Sequence, residues 1–480
     1  MSIETMRQDV LAIGLLWAAM PFTHLLDLGY TFFSFEVWAA SALFLLLGSA
    51  LAYGFGKFGL QSVLVAASLL LLVCVYFFDT SGLPFAWFVA IYVAFFVLHL
   101  RLGRQLLPIV GTFAVIFSLS NVLVLKADPF NGTGTQTPSS ENQQNALLHI
   151  ILDEQASPDA LAHTIPSEHP ALSIYEDYAK RGFHMYRTTR SAHILTRQSL
   201  SNLVSLKDDI DNLALLEPSD DHVVSFKRNP QLQQLVAQQY RVRVIQSSYL
   251  DFCANLFEIA CQSYPIRDMS VFQTSGLSFA TRLSIALNAL SRDYMNPKSG
   301  RYIGAFKRAR HAVSEPTKSF RYMSWPMKTL EAMDQLQAEL QNIQPGDAFV
   351  AHLLLPHFPY ILNPDCKPNE PSAWGYPVRH GREQKLEVIY RAYWDQVSCA
   401  HNRIMQILDD IADKPYVTVI IHGDHGARIF SETEDANQAD GLDTFLAVKR
   451  PTALTIREPE GLSLQDIFAE EFEEFLRVRP

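Results

Sequence analysis

Five apolar runs fill the first quarter of the chain, at roughly residues 10–26, 37–53, 60–78, 84–100 and 106–125. Each is close to the ~20 residues that an α-helix needs to cross a bilayer. Pro21 and His24 interrupt the first run and Asp27 follows it, so it is the weakest. A cleaved signal peptide is its competing reading, but no small-residue cleavage site stands before the second run. From Asp128 to Asn145 the chain is rich in Gly, Thr, Pro, Ser, Asn and Gln, which reads as a flexible tether. Beyond the tether, short apolar runs alternate with segments of helical spacing. Strands are expected at Ala146 to Leu152, Phe183 to Arg187, Arg241 to Ile245, Ala348 to Leu355, Val417 to Ile421 and Thr444 to Val448. Helices are expected at His169 to Arg181, Arg197 to Leu206, Pro230 to Gln239, Arg382 to Ile411 and Ser463 to Leu476. Such alternation predicts an α/β domain with a mostly parallel central sheet and helices on both faces. The chain thus divides into a five-helix transmembrane domain (1–126), a linker (127–145) and an outer α/β domain (146–480).

Charge follows the same division. Residues 1–126 carry five basic side chains (Arg7, Lys57, Arg101, Arg104, Lys126) and five acidic ones (Glu4, Asp9, Asp27, Glu36, Asp79). The whole net charge of −10 therefore lies beyond residue 126. An acidic outer domain argues against a nucleic-acid partner, which selects for a basic face. A content of 11% aromatic residues excludes a disordered chain. The loops also set orientation. Loops 27–36 and 79–83 carry only acids, whereas 54–59 and 101–105 carry Lys57, Arg101 and Arg104. Positive loops stay in the cytoplasm, so the N-terminus is expected inside and the outer domain outside. Four of the five cysteines, Cys253, Cys261, Cys366 and Cys399, fall in that outer domain, and Cys74 falls in a span. An even number in an oxidising compartment predicts two disulfides. Proximity favours Cys253–Cys261 and Cys366–Cys399 among the three possible pairings.

In a parallel sheet the active site lies beyond the carboxyl ends of the strands, so the residues that follow each strand are informative. Asp153-Glu154-Gln155 follows the first strand; its two carboxylates suit a cation, although alone they are also an ordinary acidic turn. His422-Gly423-Asp424-His425-Gly426 follows strand 417–421 and offers oxygen and nitrogen ligands side by side. Its glycines are expected to let the backbone turn and approach a bound group. Pro356-His357-Phe358-Pro359 follows strand 348–355 and holds a histidine over the sheet edge. The segment from Thr189 to Ser199 ends at a helix start, where Thr196 is expected as the N-cap. A hydroxyl there can also serve as a nucleophile, supported by the helix N-terminus and a neighbouring cation. Ser191 is its rival in the same loop.

Taken in order, an acid pair, a hydroxyl before a helix, a histidine loop and Asp-His-Gly resemble the alkaline phosphatase/sulfatase superfamily. The chain is most similar to its membrane-anchored branch, the phosphoethanolamine transferases and lipoteichoic acid synthases. The resemblance rests on Leu152-Asp153-Glu154, Thr196 with Ser199, His357 and Asp424-His425-Gly426. It implies that Asp153, Glu154, Thr196, Asp424 and His425 hold one or two divalent cations, zinc first and manganese as the alternative. It implies Thr196 as nucleophile and His357 as a contact to the substrate phosphate. Ser199 follows Thr196 at the family spacing and is expected to bind substrate, as are the nearby cations Arg197 and Arg428. The implied activity is a transferase in the bacterial inner membrane, with its catalytic domain in the periplasm. It would move phosphoglycerol or phosphoethanolamine from a phospholipid donor to an envelope glycan or lipid. The chain departs from the branch in lacking any His after His425 and in carrying His422 where a small residue is usual. A hydrolase using water as acceptor and a degenerate glycan-binding scaffold remain as alternatives. A formylglycine sulfatase does not, because Thr196 cannot be converted and no Cys-x-Pro-x-Arg occurs.

Overall fold

A computed structural model describes residues 3–58, 145–206, 215–218, 224–253, 256, 258–266, 268–295, 322–378, 384–430, 439–451 and 462–477. The chain forms two compact units. One comprises Met1–Ala127 with Asp268–Arg321, and the other Asp128–Arg267 with Tyr322–Pro480. Residues 268–321, which the sequence pattern assigns to the outer domain, thus group with the N-terminal helices.

In the first unit, helices Ile3–Asp27 and Phe35–Lys57 pack on each other. Gly14 and Gly48 mark the close approach, since a Cβ on Gly48 would lie 2.7 Å from Cβ of Trp17. Ser34 starts the second helix by accepting from Val37 N at 3.3 Å, as an N-cap serine should. Helix Phe279–Met295 packs on this start. Arg282 Nε donates to the buried Glu36 carboxylate at 2.7 Å, and the Phe279 and Phe35 rings lie 4.9 Å apart. Phe35–Lys57 is long and apolar enough to cross a membrane, while Ile13–Leu26 is a shorter apolar stretch. The expected spans at 60–78, 84–100 and 106–125, Cys74 and nearly all of the linker lie outside the described residues.

The second unit is a mixed α/β domain. Among the described residues its strands in chain order are β1 (Ala146–Leu152), β2 (His184–Met185), β3 (Leu216–Pro218), β4 (Val224–Phe226), β5 (Arg241–Ser247), β6 (Leu250–Asp251), β7 (Ala260–Tyr264), β8 (Asp347–Leu353), β9 (Val417–Gly423) and β10 (Leu446–Lys449). The main sheet runs β2-β10-β9-β1-β8-β5-β7, and β3-β4-β6 form a small second sheet. β9, β1, β8, β5 and β7 are mutually parallel, and β10 runs against both of its neighbours. β1, β8 and β9 are buried along their full lengths, which is why they read as apolar runs rather than as alternating ones. One face is covered by helices Thr196–Ser205, Pro230–Ala237 and Leu464–Arg477. Their Leu200, Leu203, Leu232, Leu235, Phe468 and Phe472 meet Leu147, Ile151, Val244, Val350 and Ile420 of the sheet. Helix Ser324–Leu340 packs on β5, β7 and β8 and on helix Leu386–Asp410. The chain crosses over β1 between β8 and β9, so β1 sits where ligands bind in open α/β sheets.

Most expected elements are present with shifted ends. His169 to Arg181 is a 3₁₀ turn Pro170–Ser173 followed by helix Ile174–Lys180. The chain then reverses at Gly182, where φ is +82°, a conformation that glycine adopts without strain. β7, the small sheet and helices Phe279–Met295 and Ser324–Leu340 have no counterpart in the sequence reading. Cys253–Cys261 and Cys366–Cys399 are disulfide-bonded, as expected, with Cα–Cα distances of 6.4 and 4.9 Å.

Candidate active site

The register of β1 on β9 builds the site. Leu152 pairs with Gly423, so the residues that follow, Asp153 and Asp424, emerge side by side from adjacent strand ends. Asp424 Oδ1 is occupied, accepting from Glu154 N at 3.0 Å and from its neighbour His425 N at 2.9 Å. Asp424 Oδ2 and Asp153 Oδ1 are buried and have no hydrogen-bond partner. His425 Nδ1 donates to Gly426 O at 2.8 Å, which leaves Nε2 as a lone pair. That lone pair lies 3.1 Å from Asp424 Oδ2 and 3.1 Å from Thr196 Oγ1. Two lone pairs facing each other in a buried site are unfavourable unless a proton or a metal cation lies between them.

The electrostatics agree. Asp153, Glu154 and Asp424 are buried carboxylates, and Arg428 is the guanidinium they share. Burial pushes Asp153 up to about 6. Burial, reinforced by Asp153, holds Asp424 well above the usual carboxylate range. Burial, with Arg428 nearby, holds His425 well below the usual imidazole range and therefore neutral. Two orphaned carboxylate oxygens and a neutral imidazole nitrogen form a donor set that suits a divalent cation. One ligand atom from each of Asp153, Asp424 and His425 lies within 4.8 Å of the other two.

Glu154 is the departure from the expected ligand set. Its carboxylate is taken by Arg428 Nη2 at 2.5 Å and by Phe358 N at 3.3 Å. Glu154 lies in the turn after β1 with a left-handed backbone, φ of +64°. Tyr393 OH clamps the turn by donating to Glu154 O and accepting from Ala156 N, both at 2.9 Å. Arg428 is likewise committed to Glu154 and buried, so it braces the site rather than standing open to substrate.

Thr196 is not the N-cap. Leu195 takes that position with no side-chain cap, and Thr196 is the first helical residue. Its hydroxyl is thereby released toward His425 and also reaches Asp153, whose ionised form it favours. Ser199 was expected to meet substrate, but it is fully buried and donates to Asp424 O at 2.6 Å. It therefore positions the Asp424 backbone. Ser191 is joined to Ser199 at 3.1 Å and to Gln465 at 3.1 Å, away from the carboxylates. Arg197 is exposed, with Nε donating to Tyr249 OH at 3.1 Å. His357 stacks on Phe358 at 4.3 Å, lies tilted 5.0 Å from Trp325 and donates Nδ1–H to Phe358 O at 2.6 Å. Its Nε2 lies 3.8 Å from Glu154 Oε1.

The glycines of the His-Gly-Asp-His-Gly turn serve packing rather than an unusual backbone angle, as neither has positive φ. A Cβ on Gly423 would lie 2.3 Å from Gln155 O and 2.4 Å from Thr444 Oγ1. A Cβ on Gly426 would lie 2.4 Å from Asp440 O. Gly423→Ala is therefore expected to force the β1 and β9 turns apart. The cost should be about 1–3 kcal/mol in denaturant unfolding, as for other overpacked sites, with a parallel loss of metal binding. Wild-type stability would refute the packing role.

Buried histidines share one face of the sheet: His149 of β1, His352 of β8 and His422 of β9. Ile151 pairs with both His352 and His422. Burial holds His352 and His422 down to about 4, and holds His149 well below the usual range. All are neutral imidazoles. Sequence reasoning singled out His422 as part of its turn and missed His149 and His352. A polar side chain within each of the apolar runs Ala146 to Leu152 and Ala348 to Leu355 was the available signal.

No family model and no curated protein matches the chain. Among solved structures it is similar to the zinc complex of the C-terminal periplasmic domain of EcEptC from Escherichia coli, with 12% identity over 69% of this chain and 82% of that one and a TM-score of 0.40. It is also similar to the soluble domain of lipooligosaccharide phosphoethanolamine transferase A from Neisseria meningitidis (12% identity, 65% of this chain, 78% of that one, TM-score 0.38). A third likeness is to phosphonate monoester hydrolase of Agrobacterium radiobacter (10% identity, 64% of this chain, 68% of that one, TM-score 0.37).

Proposed function

We propose that the chain is a cation-dependent phosphotransferase that moves a phospho-head-group, phosphoglycerol or phosphoethanolamine, from a membrane phospholipid to an envelope glycan or lipid through a phosphoester on Thr196. The observation that carries this reading is the placement of Thr196. Its hydroxyl opens a helix, lies 3.1 Å from a neutral histidine nitrogen and reaches the buried carboxylate of Asp153. Asp153, Asp424, His425 and the Thr196 hydroxyl would hold the cation. A divalent cation supplies there a lowered pKa for the hydroxyl and neutralisation of phosphoryl charge. Thr196 Oγ gives up its proton and attacks the donor phosphorus, the P–O bond to the lipid alcohol breaks and that oxygen takes up the proton. The acceptor hydroxyl then attacks the phosphorus, the P–O bond to Thr196 breaks and the acceptor's proton returns to Thr196 Oγ. Backbone N–H groups at the start of helix Thr196–Ser205 receive phosphoryl oxygens. His357 meets the same oxygens from the β8 loop, and the exposed Arg197 draws in the anionic head group.

A lipid donor agrees with helix Phe35–Lys57, which is long and apolar enough to cross a membrane, and the catalytic domain is proposed to lie outside the inner membrane. An alkaline phosphatase reporter fused after residue 140 is therefore expected to be active, and a cytoplasmic reporter there silent; the reverse would place the site on the wrong side. The activity itself is tested by incubating the purified protein with zinc and labelled phosphatidylglycerol or phosphatidylethanolamine. Release of diacylglycerol from one of them is expected, and release from neither beyond a chelator-treated control would refute the lipid donor.

A further inference from the structure

Behind the cation ligands, on the same face of the sheet, lies the tier of buried histidines. Its hydrogen bonds can run in only one direction. Gly423 O accepts, so His422 Nδ1 carries the proton it donates at 2.9 Å. His422 Nε2 is then an acceptor and receives His149 Nε2–H at 2.8 Å. His149 Nδ1 in turn receives Gln231 Nε2–H at 2.9 Å. Phe468 covers the pair, stacked on His149 at 4.6 Å. The chain of donors therefore starts on helix Pro230–Ala237 and ends on the carbonyl of the residue preceding Asp424. On the other side of β1, His352 is fully buried and neither of its ring nitrogens has a hydrogen-bond partner. Its Nε2 lies 3.5 Å from Asp153 Oδ2, within ion-pair range but beyond a normal hydrogen bond. An imidazole with two unmatched nitrogens in a core is costly unless a function retains it.

We propose that this tier positions the cation ligands, with His352 set against the second oxygen of Asp153 at 3.5 Å and the Gln231–His149–His422 chain fixing the strand end that presents Asp424. These are positioning residues and touch no substrate. The inference rests on the cation reading of the Asp153–Asp424–His425 site. It also accounts for His422 at a position where the resembling families carry a small residue, because His149 and Gln231 complete the network that a small residue would leave open.

The test titrates zinc alone into metal-free, full-length protein in detergent by calorimetry, with the melting temperature of each metal-free variant recorded. His352→Leu and His149→Leu are each expected to weaken zinc binding by about 10- to 100-fold, as losses of supporting residues do. The metal-free melting temperature of His352→Leu should stay near wild type, whereas that of His149→Leu should fall, because Gln231 and His422 lose their shared partner. His352→Gln, which keeps an N–H donor, should recover most of the affinity, and the visible spectrum of the cobalt-loaded protein should shift in His352→Leu but not in His352→Gln. A merely structural role predicts a lowered melting temperature with unchanged zinc affinity. If His352→Leu does not fold, His149→Leu decides the matter alone. Asp424→Asn separates the two levels of the argument. Should Asp424→Asn lose zinc while both Leu variants bind it normally, the tier is refuted and the cation site stands. Should Asp424→Asn bind zinc normally, the cation site and the tier fail together.

Discussion

Thr196→Ala should reduce kcat by about 10⁴-fold or more, the range seen when a covalent nucleophile is removed. The structure makes the expectation specific among the hydroxyls of its loop. Thr196 Oγ1 lies 3.1 Å from His425 Nε2 and touches Asp153, whereas the Ser191 hydroxyl is tied to Ser199 and Gln465. Ser191→Ala is accordingly expected to lose far less. A nucleophile contributes to the chemical step rather than to ground-state binding, so the loss in Thr196→Ala belongs in kcat with little change in KM. Thr196→Ser retains the oxygen and should retain partial turnover, since the missing methyl only loosens its rotamer. Steady-state kinetics on a phosphodiester substrate reads all three variants. Normal turnover by Thr196→Ala with a dead Ser191→Ala would transfer the role to Ser191.

The second large effect is expected from Asp424→Asn combined with His425→Ala. It removes a carboxylate charge and an imidazole from a site of three buried acids and one guanidinium. Because both lost groups are ligands, zinc affinity should fall well beyond the ~100-fold that a supporting residue costs. The fold should survive. The asparagine amide keeps an oxygen for the two backbone N–H groups, those of Glu154 and of position 425, that Asp424 Oδ1 now accepts at 3.0 and 2.9 Å. The metal-free protein loses little charge, because burial already disfavours the ionised form of Asp424. Metal analysis of the purified variant, beside its circular dichroism, measures both outcomes. Full occupancy in the double variant would show that the cation is held elsewhere.

Much of this site was legible because its strands are buried on both faces. β1, β8 and β9 stand out as apolar runs, and the polar residues that end them mark the sheet edge. Pairing was not legible. That Leu152 would face Gly423, and so bring Asp153 beside Asp424, depends on a register that no local pattern encodes. The choice between Asp153 and Glu154 was also hidden, because it turns on the left-handed backbone of Glu154 and on Arg428 arriving from a distant loop. Thr196 was found for a partly mistaken reason. Hydroxyls at helix starts usually cap, yet here Leu195 occupies the cap position and the threonine faces His425. Residues 268–295 look like outer-domain sequence, since an amphipathic helix does not state its partner; Arg282 and Phe279 pair with Glu36 and Phe35 of the first unit.

The central claim is a phosphoester on Thr196, and mass spectrometry of the trapped enzyme tests it most directly. The protein is incubated with zinc and donor phospholipid, quenched in acid and cleaved with trypsin, which should release Ser191–Arg197. That peptide holds both Ser191 and Thr196, so fragmentation must locate the added mass. A head-group phosphate on Thr196, absent when zinc is chelated, is the predicted result. An adduct on Ser191, or turnover with no adduct on this peptide at any quench time, would contradict the account.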